Sequence, residues 1–279
     1  LVATGSAVPS TELTNRDLEK ILDPSDEWIF QRTGISSRRI SDPTKEGTFT
    51  LARDAVRKAL DAAQWDPASL DLLICASCTQ EMTCPSISCR IAGEVGATGT
   101  GAFDLVAACS GFVYAINVAD SLIRSGRYRR VGVVGCEASS TVVDSTEPSV
   151  SILFGDAAGA AMLEADPDPG RGCIHQTLGA DGSDWRQLYM PRRMQEVPPG
   201  EEDNPIRLGY LRMHGREVFK FAVNKFREII EDALRSTSLT PSEVSQFICH
   251  QSNRRIIDAS IEKLSLPPEK VHVNIDRYG

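Results

Sequence analysis

Shifted by 174 positions, the chain matches itself. Arg53-Asp54-Ala55-Val56-Arg57-Lys58-Ala59-Leu60 lies over Arg227-Glu228-Ile229-Ile230-Glu231-Asp232-Ala233-Leu234, Asp66-Pro67 over Thr240-Pro241, and Leu73-Ile74-Cys75 over Phe247-Ile248-Cys249. Each copy reads as an amphipathic helix, a cap-plus-proline turn and an apolar strand. Identities between the copies are few; what they share is the period and the matched caps. A repeated element order of this kind predicts two copies of one α/β unit.

The first half, residues 1–166, carries the more complete copy. Short helices are predicted over 14–22 and 25–32, opened by Thr14/Asn15 and by Ser25. A longer helix over 49–64, a strand over 72–76 and a helix over 85–95 follow. Strand 102–107, helix 109–125 and strand 130–136 make a βαβ unit. Residues 151–164 read as two strands broken at Gly155-Asp156. The second half, 167–279, opens with an irregular insertion rich in Pro, Gly, Asp and Arg, extending to about 210. Helices over 213–236 and 254–264 and a strand over 271–274 come next. The counterpart of Cys109 would fall just past Gly279, and Leu1-Val2-Ala3-Thr4-Gly5 reads like the middle of a strand, so the chain is expected to be trimmed at both ends.

Composition narrows the function classes. A hydrophobic fraction of 41% and a charged fraction of 24% suit a globular protein with a sizeable core. No apolar run approaches the roughly 18–20 residues of a membrane span, and no signal-peptide pattern opens the chain. A net charge of −8 argues against nucleic acid as the main partner. Eight cysteines include Cys75, Cys78, Cys84 and Cys89 within fifteen residues, superficially a zinc arrangement. Cys75, however, ends the apolar run Leu72-Leu73-Ile74, and neither pair has the glycine-rich knuckles or histidines of common zinc modules. Reduced thiols and a cytoplasmic setting (plastid stroma in a plant or alga) fit better, with no metal.

One thiol stands apart. In Phe103-Asp104-Leu105-Val106-Ala107-Ala108-Cys109-Ser110-Gly111-Phe112, a strand turns abruptly into a helix and small residues crowd around Cys109. Phe112, Ile116, Ala119 and Ile123 form one apolar helical face beyond it. A thiol at a helix N-terminus sits beside unpaired N–H groups and the positive end of the macrodipole, which favour thiolate. His250 is its candidate partner, directly after the strand Phe247-Ile248-Cys249, at a strand end where α/β folds bind ligands. His175, His214 and His272 lack such a setting and read as surface or structural. Asn253 serves either as the cap of helix 254–264 or as a hydrogen-bond donor to a substrate.

Together these segments resemble the β-ketoacyl-[acyl-carrier-protein] synthase III family. The resemblance is carried by Ala107-Ala108-Cys109-Ser110-Gly111-Phe112, Phe154-Gly155-Asp156-Ala157-Ala158-Gly159-Ala160, Glu217-Val218-Phe219-Lys220 and His250-Gln251-Ser252-Asn253. Asp26-Glu27-Trp28-Ile29, Arg32-Thr33-Gly34-Ile35 and Arg277-Tyr278-Gly279 add to it. It implies the thiolase-like fold, two α/β halves in a five-layer αβαβα arrangement with the C-terminal part missing from this chain, and a homodimer. It also implies a decarboxylating Claisen condensation. Cys109 would hold the acyl group, and His250 would stabilise the enolate formed as malonyl-acyl-carrier protein loses CO2. The family's third catalytic residue, an Asn after the Tyr-Gly turn, would lie beyond Gly279. No cofactor is implied, coenzyme A thioester being a substrate. The alternatives are an acyltransferase of the same fold that does not condense, and a non-catalytic homologue, against which the presence of both Cys109 and His250 speaks.

The resemblance also implies substrate-binding positions. Trp28 and Arg32 match contacts to the coenzyme A nucleotide, and Phe154, Phe219 and Asn253 match substrate-binding positions; core packing is the other account of Trp28. Cys84 matches a position whose side chain reaches the partner's acyl pocket, where a smaller residue admits a longer or branched acyl group or merely packs. The family's Asp-Arg-Gly-Thr is here Glu147-Pro148-Ser149-Val150. Proline cannot replace a stacked guanidinium, so a carrier-bound or unusual donor becomes a candidate beside acyl-CoA. Lys220, Arg254, Arg255 and Lys263, with Arg216, are a candidate docking patch for an acidic carrier protein, scattered solvated cations being the alternative.

Overall fold

The structure, a computed structural model, describes residues 1–168, 170–201 and 207–279. Residues 169 and 202–206 of the predicted insertion lie outside the described residues. The chain forms two compact units, each assembled from separate stretches. One comprises 1–11, 39–141 and 156–176; the other comprises 12–38, 142–155 and 177–279. Each unit thus draws residues from both sides of position 166/167. Residues 12–38 and 142–155 leave the first half because Leu18, Ile29 and Ile152 build a small core of their own, joined by Leu13, Leu22 and Leu153.

The first unit is a five-stranded mixed sheet in the order Ala3–Ala7, Asp156–Glu164, Arg130–Ala138, Leu72–Ala76, Gly101–Leu105. Leu72–Ala76 runs parallel to both its neighbours, Ala76 standing beside Leu105 and Gly135. All five of its residues are buried, as expected of a strand covered on both faces. Leu73 and Cys75 point into a core with helices Thr48–Ala63 and Ile87–Val95. Leu72, Ile74 and Ala76 point the other way, toward helix Gly111–Arg124. The long helix buries Leu51, Ala52, Ala55, Val56, Ala59 and Leu60, a stripe at helical spacing. Gly5 lets it approach: a Cβ there would collide with the Ala55 carbonyl oxygen and stand 2.5 Å from the Ala59 nitrogen.

In the second unit, helices Gly215–Thr237 and Arg254–Leu264 close over Phe226, Ile230, Ile257, Ile261 and Val271. The repeat is visible in its local hydrogen bonds. Helix Thr48–Ala63 ends at Gln64 with φ 56°, and helix Gly215–Thr237 ends at Ser238 with φ 57°. Trp65 N–H donates to Leu60 O as Leu239 N–H donates to Leu234 O, and each pair of positions is 174 apart.

Four predicted elements differ. Residues 151–154 are not a strand: Pro148–Ser151 is a helical turn, opened by Glu147, whose side chain accepts from Ser149 N–H. Predicted strands 247–249 and 271–274 are reduced to one parallel bridge, Phe247 to Val271. Among the described residues nothing pairs with the far side of 247–249, and Ile248 is 80% exposed. The insertion is not wholly irregular, since Leu188–Tyr189 pairs antiparallel with Arg212–Met213.

Candidate active site

Cys109 stands at the end of strand Gly101–Leu105, on a tight turn rather than within the helix. Ala107 has φ −149° and ψ 28°, Ala108 has φ 45°, and residues 108–110 form a 3₁₀ turn before the helix starts at Gly111. A left-handed alanine costs conformational energy that surrounding structure must hold, and such strain gathers at functional sites. Gly111 permits the fold-back, for a Cβ there would stand 3.0 Å from Ala76 Cβ. The turn leaves Cys109 exposed.

Thiol acidity departs from the helix-terminus expectation. Although the residue is exposed, the protein packed around its sulfur is the largest influence and pushes the pKa up. The Glu137 carboxylate pushes the same way, and only Cys109's own N–H works against them. Because the helix begins two residues later, its first-turn donors do not dominate. Glu137 escaped the sequence reading, its one available signal being a carboxylate that ends the apolar run Val131–Cys136. It accepts from Cys78 N–H at 2.8 Å, Thr79 Oγ1 at 2.6 Å and Ser77 Oγ at 3.4 Å, fastening the loop beyond strand Leu72–Ala76. Alkylation of Cys109 is therefore expected to keep accelerating above pH 9.0, the ordinary thiol value. In Glu137→Gln the half-point moves down; iodoacetamide rates against pH measure both, and a half-point below 9.0 in the unaltered protein would contradict the expectation.

His250 lies in the second unit, just past the bridge at Phe247. Gln251 secures this segment, its Nε2 donating to Cys249 O at 3.0 Å and His272 O at 3.1 Å, its Oε1 accepting from Asn274 N–H at 3.0 Å. Desolvation lowers the imidazole pKa below its ordinary 6.5, so the ring is neutral at pH 7. A neutral imidazole still offers one N–H to a developing oxyanion.

The other candidates divide by their contacts. Trp28, 43% exposed, lies under the Arg32 guanidinium at 5.3 Å on helix Asp26–Thr33. Asn253 caps helix Arg254–Leu264, accepting from Arg255 N–H at 2.9 Å and donating to Arg32 O at 3.1 Å. Phe219 lies under Arg255 at 5.3 Å, and Phe154 is half-buried. Of the proposed docking cations, Lys220 pairs with Glu217 at 2.9 Å and Arg254 with Asp258 at 2.7 Å, while Arg255 and Lys263 are exposed. Cys84 is exposed. Pro148 begins its helical turn; two guanidiniums reach that segment, Arg207 at 3.3 Å from Asp144 and Arg212 at 3.7 Å from Glu147. Among the described residues no three His, Cys, Asp or Glu side chains converge on one point.

A strained, exposed cysteine turn at the end of a parallel strand, within a duplicated α/β chain, marks the thiolase-like fold of the condensing enzymes. Comparison with known proteins agrees. Family models described as 3-oxoacyl-[acyl-carrier-protein] synthase III and its C-terminal part match residues 103–182 and 234–279. Beta-ketoacyl-[acyl-carrier-protein] synthase III of Caldanaerobacter subterraneus is 40% identical over 279 residues, covering 100% of this chain and 84% of that protein. The Aquifex aeolicus protein of the same name is 43% identical over 282 residues, again covering 84% of the relative. A crystal structure of the Aquifex aeolicus synthase superposes with a TM-score of 0.91 at 42% identity, over 100% of this chain and 84% of that one. The priming β-ketosynthase of the R1128 polyketide pathway superposes at 0.89 with 35% identity, over 100% and 82%. The chain belongs to the β-ketoacyl-[acyl-carrier-protein] synthase III family.

Proposed function

We propose that this chain carries out a decarboxylating Claisen condensation with Cys109 as the acyl carrier and His250 as the enolate stabiliser. Cys109 Sγ attacks the carbonyl carbon of an acyl thioester; the donor's C–S bond breaks and its thiol leaves with the cysteine's proton. Malonyl-acyl-carrier protein then loses CO2, and the electron pair of that bond forms an enolate whose oxygen accepts from the His250 N–H. The enolate carbon attacks the acyl-cysteine carbonyl, the C–S bond to Cys109 breaks, and the thiolate regains a proton. The products are a β-ketoacyl-carrier protein and CO2. The observation that carries this reading is the strained strand–turn–helix that exposes Cys109.

Trp28 and Arg32 are the proposed seat of the donor's nucleotide, supported by an exposed indole already stacked with a guanidinium. Pro148 weakens that grip, so affinity for coenzyme A below that of an Arg-bearing relative belongs to the proposal. Arg255 and Lys263 are the proposed carrier-protein contacts. A second copy of the chain is the proposed partner of edge strand Gly101–Leu105, supported by exposure of Phe103 and of Val106 just beyond it (68% for the latter) on an edge where no further strand pairs among the described residues.

The test is intact-mass measurement after incubation with acyl-CoA, then CO2 release on adding malonyl-carrier protein. An adduct on Cys109 followed by CO2 and β-ketoacyl product is expected. No adduct sinks the reading, and an adduct without CO2 leaves a transferase that does not condense. Sedimentation of the same preparation as a monomer would remove the dimer.

A further inference from the structure

A charged residue in the polar stretch Ser36-Ser37-Arg38-Arg39, Arg38 would ordinarily lie exposed. It is instead the only buried basic side chain among the described residues, with no measurable exposure. Its partners are neutral. Nη1 donates to Leu13 O at 3.2 Å and Asn15 Oδ1 at 3.0 Å; Nη2 donates to Asn15 Oδ1 at 3.0 Å and Ile152 O at 2.8 Å. Nε is buried without a hydrogen-bond partner. Burial lowers the guanidinium pKa to about 10, so it remains a cation at neutral pH. A buried charge facing only dipoles is an expensive way to fill a core, so its geometry is informative.

Three segments far apart in the chain meet on it. Asn15, which accepts both arms of the fork, passes the contact on through Nδ2 to Asp26 Oδ1 at 3.1 Å and Ile35 O at 2.7 Å. Asp26 is the first residue of the helix bearing Trp28 and Arg32. Ile152 O belongs to the link between helical turn Pro148–Ser151 and Phe154. The Arg38 Cβ is packed under the third segment, 2.9 Å from where a Cβ on Gly279 would lie and 3.1 Å from one on Gly155. The neighbouring Ser36 N–H donates to Asp276 O at 2.9 Å. A guanidinium alone offers this planar set of donors; an ammonium on a flexible stem cannot hold all of these acceptors in one plane.

We infer that Arg38 is a positioning residue for the acyl donor, holding the Trp28/Arg32 helix against the 148–154 segment through Asn15 on one side and Ile152 on the other. The inference rests on the proposed seating of the donor nucleotide at Trp28 and Arg32. Arg38 touches no substrate atom in this account; it sets the spacing of the two walls that do.

The test compares acyl-CoA with the matching acyl-pantetheine thioester, which has the same acyl group and thiol arm but no nucleotide. Calorimetry gives the affinity for coenzyme A and for pantetheine, and intact-mass kinetics give Cys109 acylation from each donor. In Arg38→Lys, KM for acyl-CoA and Kd for coenzyme A are expected to rise about tenfold or more, the scale of about 1.4 kcal/mol. Acylation by acyl-pantetheine stays within about twofold. Asn15→Ala cuts the same link from the other side without moving the charge, and is expected to show the same selective loss. Equal losses with both donors, or no loss with either, in variants with an intact melting transition would overturn the inference. Should Arg38→Lys fail to fold, Asn15→Ala decides by the same criterion. An unaltered protein that binds coenzyme A without being acylated sinks the reaction proposed above and leaves the binding ratio to judge Arg38; one that binds no coenzyme A overturns both.

Discussion

Cys109→Ala is expected to yield no acyl-enzyme and to lower condensation by on the order of a thousandfold or more, because the step that stores the acyl group has lost its only nucleophile. The loss should be chemical rather than structural. Cys109 is exposed on a turn whose shape is set by backbone, with Ser110 N–H donating to Ala107 O and Gly111 N–H to Ala108 O. Cys109 belongs to none of the hydrophobic core clusters, so the thermal midpoint should move little. Cys109→Ser keeps the shape but substitutes an alcohol far less acidic than the thiol, and should remain nearly as inactive. Intact-mass spectra recorded beside melting curves read both quantities. An adduct of undiminished yield on Cys109→Ala would place the nucleophile elsewhere.

His250→Ala should separate the two half-reactions. Acylation of Cys109 is expected to continue near its normal rate, while decarboxylation and condensation fall by about 10²–10³, the usual effect of removing one oxyanion donor. The pH dependence follows from the lowered imidazole pKa. In the proposed reaction the neutral ring is the functional form, so the condensing half-reaction is expected to be lost only as pH falls through that lowered value. The plateau should therefore extend below pH 6.5, where an unperturbed imidazole would already be half-protonated. Stopped-flow CO2 release from pre-acylated enzyme isolates this step. An acid limb centred above 6.5 would mean that His250 works as its cation, and acylation lost in parallel would mean that it activates the thiol.

Cys109 and His250 stood out in the sequence because each sits where local signals change: small residues at a strand-to-helix switch, and a histidine immediately after a short apolar run. The repeat was legible for the same reason, and its matched left-handed helix ends at Gln64 and Ser238 lie in register in the structure. The predicted strand over 151–154 failed because an apolar run of four residues reads alike in a strand or a buried helical turn, and here Pro148 with the Glu147 cap settles it as helical. Strands 247–249 and 271–274 failed differently, because a strand exists only where a neighbour accepts its hydrogen bonds.

Thiol acidity shows the same limit from the side of chemistry. A helix N-terminus argues for thiolate from sequence alone, yet Glu137, twenty-eight positions further along the chain, and the packing around the sulfur reverse the direction. Arg38 is the sharpest case, since nothing in Ser36-Ser37-Arg38-Arg39 distinguishes a buried guanidinium from an exposed one. By itself the sequence determined the duplicated α/β plan and singled out Cys109 and His250 for the roles proposed above, because periodicity, caps and small-residue turns act over a few neighbouring residues. Only the tertiary structure decided the acidity of Cys109, the neutrality of His250 and the burial of Arg38. Each of those depends on desolvation and on charges or carbonyls brought close from remote parts of the chain, and such through-space sums leave no local pattern to read.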